Sequence, residues 1–277
     1  MNILAIILIT AAGVKSLLMP ASPVGVTTSF ASANKEEAIF YNPANFQASD
    51  NFTVNCSYNR FYLGMQSVSL SLSKKIKAID MGLGIVNFDY GTIEWRPEYP
   101  TDDPLIDYRA YDFFLILGAS VSVSTQGRIG VNLKYVTENI YVYSDYALAM
   151  DIAFAYRNSN SGVTFGATNF GTKMTIHNDE VNLPACLSVG AFHQIKNLTL
   201  SGDLDYLINE SAFEFGIGAS FPVHERISLS AAVNYREEFY PGFGVTIDVG
   251  ALQVKYGGSF FPKNLGMVNN LGIGLGL

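Results

Sequence analysis

The sequence predicts an all-β chain that folds as a transmembrane antiparallel β-barrel of about fourteen strands. The chain is apolar overall, with 49% hydrophobic and only 15% charged residues among its 277. After residue 35, however, no stretch free of Asp, Glu, Lys and Arg exceeds 15 residues. A membrane helix needs about 18 or more apolar residues in a row. From residue 51 onward, apolar and small or polar residues alternate with the period of a β-strand.

Composition and motif content exclude several functions. A chain this hydrophobic is not disordered, and its net charge of −7 is unsuited to nucleic acid. Cys56 and Cys186 are too few and too far apart to indicate a disulfide framework. The sequence contains neither the G-x-S-x-G pattern of hydrolases nor the H-E-x-x-H pattern of zinc proteases. We therefore predict no catalytic residues, no metal ligands, no cofactor and a protein that is not an enzyme.

Residues 1–13, MNILAIILITAAG, are typical of an export signal peptide. The apolar run Ile3–Ile9 has the length of a signal core, and the small residues that follow it suit a cleavage site. A buried first strand is the alternative interpretation. We expect a signal peptide at 1–13, a periplasmic leader at 14–50 and the barrel at 51–277.

The strands are predicted from the alternation. It is clearest in 144–157, where six large apolar residues from Tyr146 to Tyr156 share one face and smaller or charged residues share the other. Fourteen segments read in this way, at about 51–58, 64–73, 79–90, 109–123, 127–141, 144–157, 162–170, 184–194, 197–206, 211–221, 226–236, 242–249, 251–260 and 268–277.

The connections between these strands alternate in length. Tight turns such as 195–196 are predicted on one rim, and longer loops such as 91–108, 171–183 and 237–241 on the other, which is typical of outer-membrane barrels. The loop 91–108 is long enough to be functional. It would fold over the mouth, meet a partner or remain solvated. Its candidate partner-binding residues are Glu94, Trp95, Arg96, Glu98 and Tyr99.

A soluble β-sandwich or a secreted barrel is the alternative fold. The polar strand faces, however, are rich in Ser, Gly, Ala and Asn, which suits a lumen better than a soluble exterior. Tyr and Phe also cluster near the strand ends, as they do in the aromatic girdles of membrane barrels. We therefore expect the chain in the outer membrane of a Gram-negative-type bacterium, surrounded by its lipid.

Charged residues on the inward faces are the candidate polar residues of the lumen. Both signs occur, so either ion pairs within the lumen or a selective permeation path would explain them. The candidate lumen residues are Asp112, Arg128, Lys134, Glu138, Asp151 and Arg157.

The leader contains the run EAIFYNPANF at 37–46, in which Asn42-Pro43 favours a turn. This run resembles the leader of the PorV/PorQ family of outer-membrane proteins, which are similar in turn to FadL-type barrels. The strand segments 130–135 (GVNLKY), 149–152 (AMDI) and 165–171 (FGATNFG) resemble the same family in the same order.

The resemblance implies a fourteen-stranded barrel whose N-terminal segment folds into the lumen as a plug. Asn42, Pro43 and Ala44 would form its turn, and a rim turn that merely starts the first strand is the alternative. The resemblance also implies a scaffold or cargo-handling role in type IX-like secretion or surface attachment, with secretion-system or cargo proteins as partners. The alternatives are a FadL-like channel for hydrophobic small molecules and a structural barrel without transport.

Overall fold

The structure is a computed structural model that describes residues 37–97, 99, 102–263 and 265–277. Fourteen antiparallel strands form a closed barrel, in which each strand pairs with its neighbours along the chain and β1 pairs with β16. Two further strands, β8 and β9, pair only with each other. The described residues include no helix long and apolar enough to cross a membrane. The predicted fold class is confirmed.

Each of the fourteen predicted segments overlaps one barrel strand. Two short 3-10 turns, η1 (Glu37–Phe40) and η2 (Tyr62–Gly64), precede and follow β1. The strands are β1 (Thr53–Arg60), β2 (Gln66–Ile76), β3 (Ile79–Trp95), β4 (Ile106–Ser122), β5 (Gly127–Ile140), β6 (Tyr143–Arg157), β7 (Ser161–Gly171), β8 (Met174–Ile176), β9 (Asp179–Val181), β10 (Cys186–Ile195), β11 (Leu198–Leu207), β12 (Ala212–His224), β13 (Ile227–Arg236), β14 (Glu238–Val249), β15 (Leu252–Phe261) and β16 (Gly266–Gly276).

The alternation along each strand separates the lumen from the outer surface. In β6, Tyr146 and Leu148 are more than half exposed, whereas Ala147 and Ala149, which alternate with them, are buried. Successive side chains of a strand point to opposite faces, so the large apolar residues form an outward band and the small ones line the interior. An apolar outer surface with a small and polar inner one suits a barrel surrounded by lipid.

Two predicted loops are shorter than the sequence suggested. Strands β3 and β4 keep pairing as far as Trp95 with Ile106, so the predicted loop 91–108 is reduced to 96–105. A β-bulge between Asp89 and Thr92, in which Gly91 has a φ of 80°, accommodates a shift in register, and pairing resumes beyond the bulge. The prediction that Glu94 and Trp95 are loop residues is therefore wrong.

The connection predicted at 237–241 is a one-residue turn. Glu237 alone joins β13 to β14, because its φ of 60° lets Arg236 and Glu238 pair directly. The alternation of short and long connections therefore fails at this point of the rim.

The predicted loop 171–183 contains a small hairpin of its own. Strands β8 and β9 pair from Met174 with Val181 to Ile176 with Asp179, and His177 lies in the turn at a φ of 62°. Met174, Ile176 and Val181 are buried, while Thr175 between them is exposed. The hairpin therefore turns one apolar face inward.

Candidate functional site

Residues 37–46, called here the plug segment, lie inside the barrel. The backbone amide of Ala44 donates to the Asn42 side-chain oxygen at 3.0 Å, which holds the turn around Pro43. Asn42 and Ala44 are fully buried, and every residue of the segment is buried. The structure thus places the predicted turn residues Asn42, Pro43 and Ala44 in the lumen.

Inward-facing glycines on β3, β4 and β5 form a cradle for the plug segment. At each of them an added Cβ atom would overlap a plug residue, and at Gly130 the overlapped atoms belong to the plug backbone. The sequence reasoning missed this role, because glycines are common on every inward face of the chain. The cradle consists of Gly82 against Phe46 (2.7 Å), Gly84 against Phe40 (2.8 Å), Gly118 against Ile39 (2.9 Å) and Gly130 against Pro43 (2.1 Å).

Arg128 on β5 fixes the C-terminal end of the plug segment. Its guanidinium donates to the carbonyl oxygens of Ala44 at 3.2 Å and Phe46 at 2.9 Å. The same group forms an ion pair of 2.6 Å with Asp80 on β3 and donates to the Ser120 hydroxyl. A planar guanidinium with several donors suits this task, because it satisfies backbone and carboxylate acceptors together.

A buried polar network fixes the middle of the plug segment. The Asn132 amide donates to the Ile39 carbonyl at 2.8 Å and to Asp151 at 3.0 Å. Asp151 also pairs with Lys134 at 2.7 Å and accepts the backbone amide of Asn169 at 2.8 Å. Lys134 donates in turn to the Asn169 side chain. Asn169 lies in a bulge of β7 with a φ of 59°, so the network holds the irregular part of the wall as well.

The three strand segments that carry the family resemblance therefore meet at one place. Segment 130–135 supplies Asn132 and Lys134, 149–152 supplies Asp151, and 165–171 supplies the bulge. Of the predicted lumen residues, the structure joins Lys134 and Asp151 in this network.

A third contact holds the first described turn of the plug segment. The carboxylate of Glu37 lies 2.6 Å from the ammonium of Lys255 on β15. The two side chains are only 10% and 2% exposed, so the pair is shielded from water. With Arg128 on β5, it ties the plug segment to two separate parts of the barrel wall.

Above the plug segment, one part of the lumen is apolar. The residues there form one continuous hydrophobic cluster, which reaches from the plug segment to the β8–β9 hairpin in the mouth and which we call the apolar column. Partly exposed side chains at its rim end are Ile93, Tyr108 and Tyr143. Its buried members include Ile39 and Phe40 of the plug segment, Val86, Phe114, Ile116, Val136 and Ile140 of the wall, and Met174, Ile176 and Val181 near the hairpin.

Two of the predicted lumen carboxylates lie beside this column. Asp112 on β4 and Glu138 on β5 occupy paired positions and are 6% and 4% exposed. The hydroxyl of Tyr90 donates to one oxygen of Asp112 at 2.7 Å.

Arg157 stands apart from the other predicted lumen residues. It ends β6 at the short-turn rim, and its guanidinium lies over the Phe192 ring at 5.1 Å. Within the described ranges it forms no ion pair, and no group of three or more His, Cys, Asp or Glu could hold a metal ion.

The candidate partner-loop residues lie at the rim. Arg96 pairs with Glu94 at 2.8 Å, and Tyr99 is 67% exposed. Glu98 lies outside the described residues, as do the signal peptide predicted at 1–13 and residues 14–36 of the leader predicted at 14–50. On the β8–β9 hairpin, a hydrogen bond from Lys173 lowers the pKa of the exposed Glu180 carboxyl.

No protein-family model and no curated protein matches the sequence. Solved structures do match. CymD, described as a monoaromatic hydrocarbon channel, aligns with a TM-score of 0.72 at 10% identity over 94% of this chain and 98% of its own. The toluene transporter TbuX of Ralstonia pickettii gives 0.70 at 13% identity, over 94% and 99%. A FadL homologue of Pseudomonas aeruginosa gives 0.61 at 10% identity, over 92% and 98%.

At these identities the likeness shows the fold. The chain has the barrel fold of FadL-like channels, and its similarity spans nearly the full length of each neighbour. The neighbours are described as channels, transporters or homologues of them. The finer resemblance to PorV/PorQ stays a prediction.

Proposed function

We propose that this protein is an outer-membrane channel for hydrophobic small molecules, of the FadL-like kind. The observation that carries the proposal is the apolar column. A pore for hydrophilic solutes keeps a polar and water-filled interior, whereas here apolar side chains pack in one continuous cluster from Tyr108 near the mouth down to Phe40 of the plug segment. Hydrophobic solutes gain free energy when they leave water for such surroundings.

The outer surface supports the proposed location. Large apolar side chains such as Leu133, Ile152 and Ile217 stay about half or more exposed on the outward faces. A monomeric soluble protein rarely exposes so extensive an apolar surface. We therefore propose that the barrel lies in the outer membrane of a Gram-negative-type bacterium. Its likeness to solved structures of channels and transporters supports this location.

Passage through the barrel would require the plug segment to move. Arg128, Asn132 and Lys255 hold it by hydrogen bonds and one ion pair, which are discrete contacts that can break and re-form. The plug segment would act as a gate at the lower end of the apolar column.

Uptake of labelled toluene tests the proposal. A Gram-negative host without a hydrocarbon channel, whose lipopolysaccharide slows hydrophobic solutes, would express either this protein or an empty vector. Initial uptake should rise with the protein and saturate with toluene concentration. Heat-modifiable mobility in gels would show that the barrel is folded. If the barrel is folded but toluene uptake does not rise, the proposal is refuted.

A role as a docking partner in protein secretion is the second candidate function. Exposed apolar side chains in three connections between strands favour it: Leu63 is 85% exposed, Val142 69% and Leu105 55%. Cross-linking from these three positions in the native outer membrane would test it. Adducts with a secretion or surface protein would support the role, and adducts with lipid alone would count against it.

A further inference from the structure

We infer that three lysines at the short-turn rim of the barrel bind the headgroups of anionic phospholipids. Lys74 and Lys75 end β2, and Lys77 lies in the turn that leads to β3, so we call this group the basic turn. The partner would be a glycerophospholipid with a net negative headgroup, such as phosphatidylglycerol. The inference rests on the membrane location given under the proposed function, and it does not depend on which solute crosses the lumen.

The first ground is that the basic turn has no counter-charge within the protein. Lys75 and Lys77 are exposed, and Lys74 is partly exposed. Among the described residues, no carboxylate lies within ion-pair distance of any of these three ammonium groups. The Asp80 carboxylate on the next strand pairs with Arg128 in the lumen instead. Three like charges within four positions repel one another, so an external anion would stabilise them.

The second ground is the contrast between the two rims. Cations at the rim of the longer loops pair with carboxylates, with the exception of Arg60; the pairs are Arg96–Glu94, Arg109–Asp89, Lys173–Glu180, Arg236–Glu210 and Lys263–Glu238. At the short-turn rim, Lys196 and Arg226 resemble the basic turn, since neither forms an ion pair with a described residue. Positive charge without a partner is thus concentrated at the short-turn rim, which faces the periplasmic leaflet in outer-membrane barrels.

The third ground is the position of Lys74 at the end of the apolar outer band. It lies on the outward face of β2, between the exposed side chains of Leu72 and Ile76. Its ammonium lies 4.3 Å from the centre of the exposed Phe52 ring. A lysine in such a place rests its alkyl chain on apolar surface and extends its charge toward the headgroups.

Continuity with the outer band favours a lipid as the partner over an acidic protein. Ile76 pairs with Ile79 across the turn, and both expose their side chains on the outward face. One anionic lipid would therefore meet two needs, because its phosphate reaches the lysines while its acyl chains cover the isoleucines. An acidic periplasmic protein would meet only the charges and would leave the apolar part of this surface to the bilayer.

Fluorescence quenching by brominated lipids tests the inference. The full chain has a single tryptophan, so Trp95→Phe together with Ile79→Trp leaves one fluorophore, beside the basic turn. This protein would be reconstituted into phosphatidylcholine vesicles that contain either brominated phosphatidylcholine or brominated phosphatidylglycerol. We expect phosphatidylglycerol to associate about fivefold or more tightly than phosphatidylcholine at this position, as for at least one lysine close to an anionic surface.

Removal of the lysine charges should abolish this preference. In the triple variant Lys74→Gln, Lys75→Gln and Lys77→Gln, the two lipids should quench the introduced tryptophan equally well. Lys173→Gln at the opposite rim is the matched control and should leave the preference unchanged. Heat-modifiable mobility identifies a variant that fails to fold.

A second fluorophore position and a salt series add independent measurements. Ile129→Trp in place of Ile79→Trp reports on the turn 123–126, which has no charged side chain, and should show no preference. With all lysines intact, the preference at position 79 should decrease between about 0.1 M and about 1 M sodium chloride, because salt screens exposed charges. The salt series decides the matter if the triple variant does not fold.

Equal association of the two lipids beside the intact basic turn would overturn the inference. A preference that survives the triple variant or that ignores salt would overturn it as well. In each of these cases, quenching by both lipids would still show that the barrel lies in the bilayer, so the proposed location stands. If neither lipid quenches the folded protein, the location and the inference fall together, and toluene uptake tests transport separately.

Discussion

Gly130 lies directly beneath Pro43, so that an added Cβ atom would sit 2.1 Å from the Pro43 carbonyl carbon and oxygen. No side-chain rotation relieves that contact, because both partners are backbone. The barrel wall is thus shaped to the plug segment at a residue 87 positions further along the chain.

Gly130→Ala should displace the turn of the plug segment. Overpacking of this kind costs about 1–3 kcal/mol. In a Cys56→Ser background, a cysteine placed at Ala44 should react faster with a maleimide when Gly130 is replaced. Gly272→Ala is the control, because its Cβ would meet nothing closer than 3.5 Å. Equal labelling rates in the two glycine variants would contradict the docking described here.

Arg128→Met should destabilise the barrel strongly. It leaves the 5%-exposed Asp80 carboxylate without its ion-pair partner, and breaking a buried pair from one side costs about 3–5 kcal/mol. The double variant with Asp80→Asn should recover part of the loss. Urea unfolding in detergent, followed by Trp95 fluorescence, would measure the effect.

A matched exposed pair provides the comparison for Arg128. Arg109 pairs with Asp89 at 2.8 Å, but its side chain is 68% exposed. Arg109→Met should therefore cost only about 0–1 kcal/mol. Similar losses for both arginine variants would show that burial of the Arg128 pair does not matter.

Lys255→Glu should loosen the plug segment by placing a second carboxylate beside Glu37. Breaking this buried pair should cost the docked plug segment about 3–5 kcal/mol, which shifts the equilibrium between its docked and released states by 100-fold or more. Channel openings in planar bilayers should become more frequent. Adding Glu37→Lys should restore closure by re-forming the pair in reverse, and a double variant that stays open would argue against the ion pair as a holding contact.

Ile176→Asp should lift the β8–β9 hairpin from the mouth, because a carboxylate cannot remain in the apolar column without a partner. Protease cleavage within 172–185 should accelerate, and toluene uptake should change with it. Thr175→Asp is the control, since that side chain on the same hairpin is exposed. Cleavage at the same rate in both variants would show that the hairpin is not held by its apolar face.

The sequence alone predicted the barrel, because the fold is encoded with a short period. Residues two positions apart share a face of a strand, so the outward position of Leu148 and the inward position of Ala149 follow from local spacing. The number of strands and the character of the lumen follow from repeating that pattern. The aromatic and apolar content then predicts membrane surroundings.

The irregular parts could not be predicted in the same way. The prediction for the 91–108 loop missed the extension of β3 because Gly91 continues the ladder through a bulge, where a glycine usually suggests a turn. Glu237 closes a hairpin in a conformation that glutamate rarely adopts, and nothing in its neighbours indicated that.

The candidate site likewise has a part that the sequence predicts and a part that it does not. The period of the sequence predicts that Arg128, Lys134 and Asp151 face the lumen. Only the closed barrel shows that Arg128 binds the plug segment and that Lys134 and Asp151 pair with each other. These contacts join residues from 17 to more than 200 positions apart, so no local pattern specifies them. The alternation along each strand specifies which side chains face inward. Which of these side chains meet depends on the three-dimensional fold, because closure of the barrel brings distant strands within hydrogen-bonding distance of one buried segment.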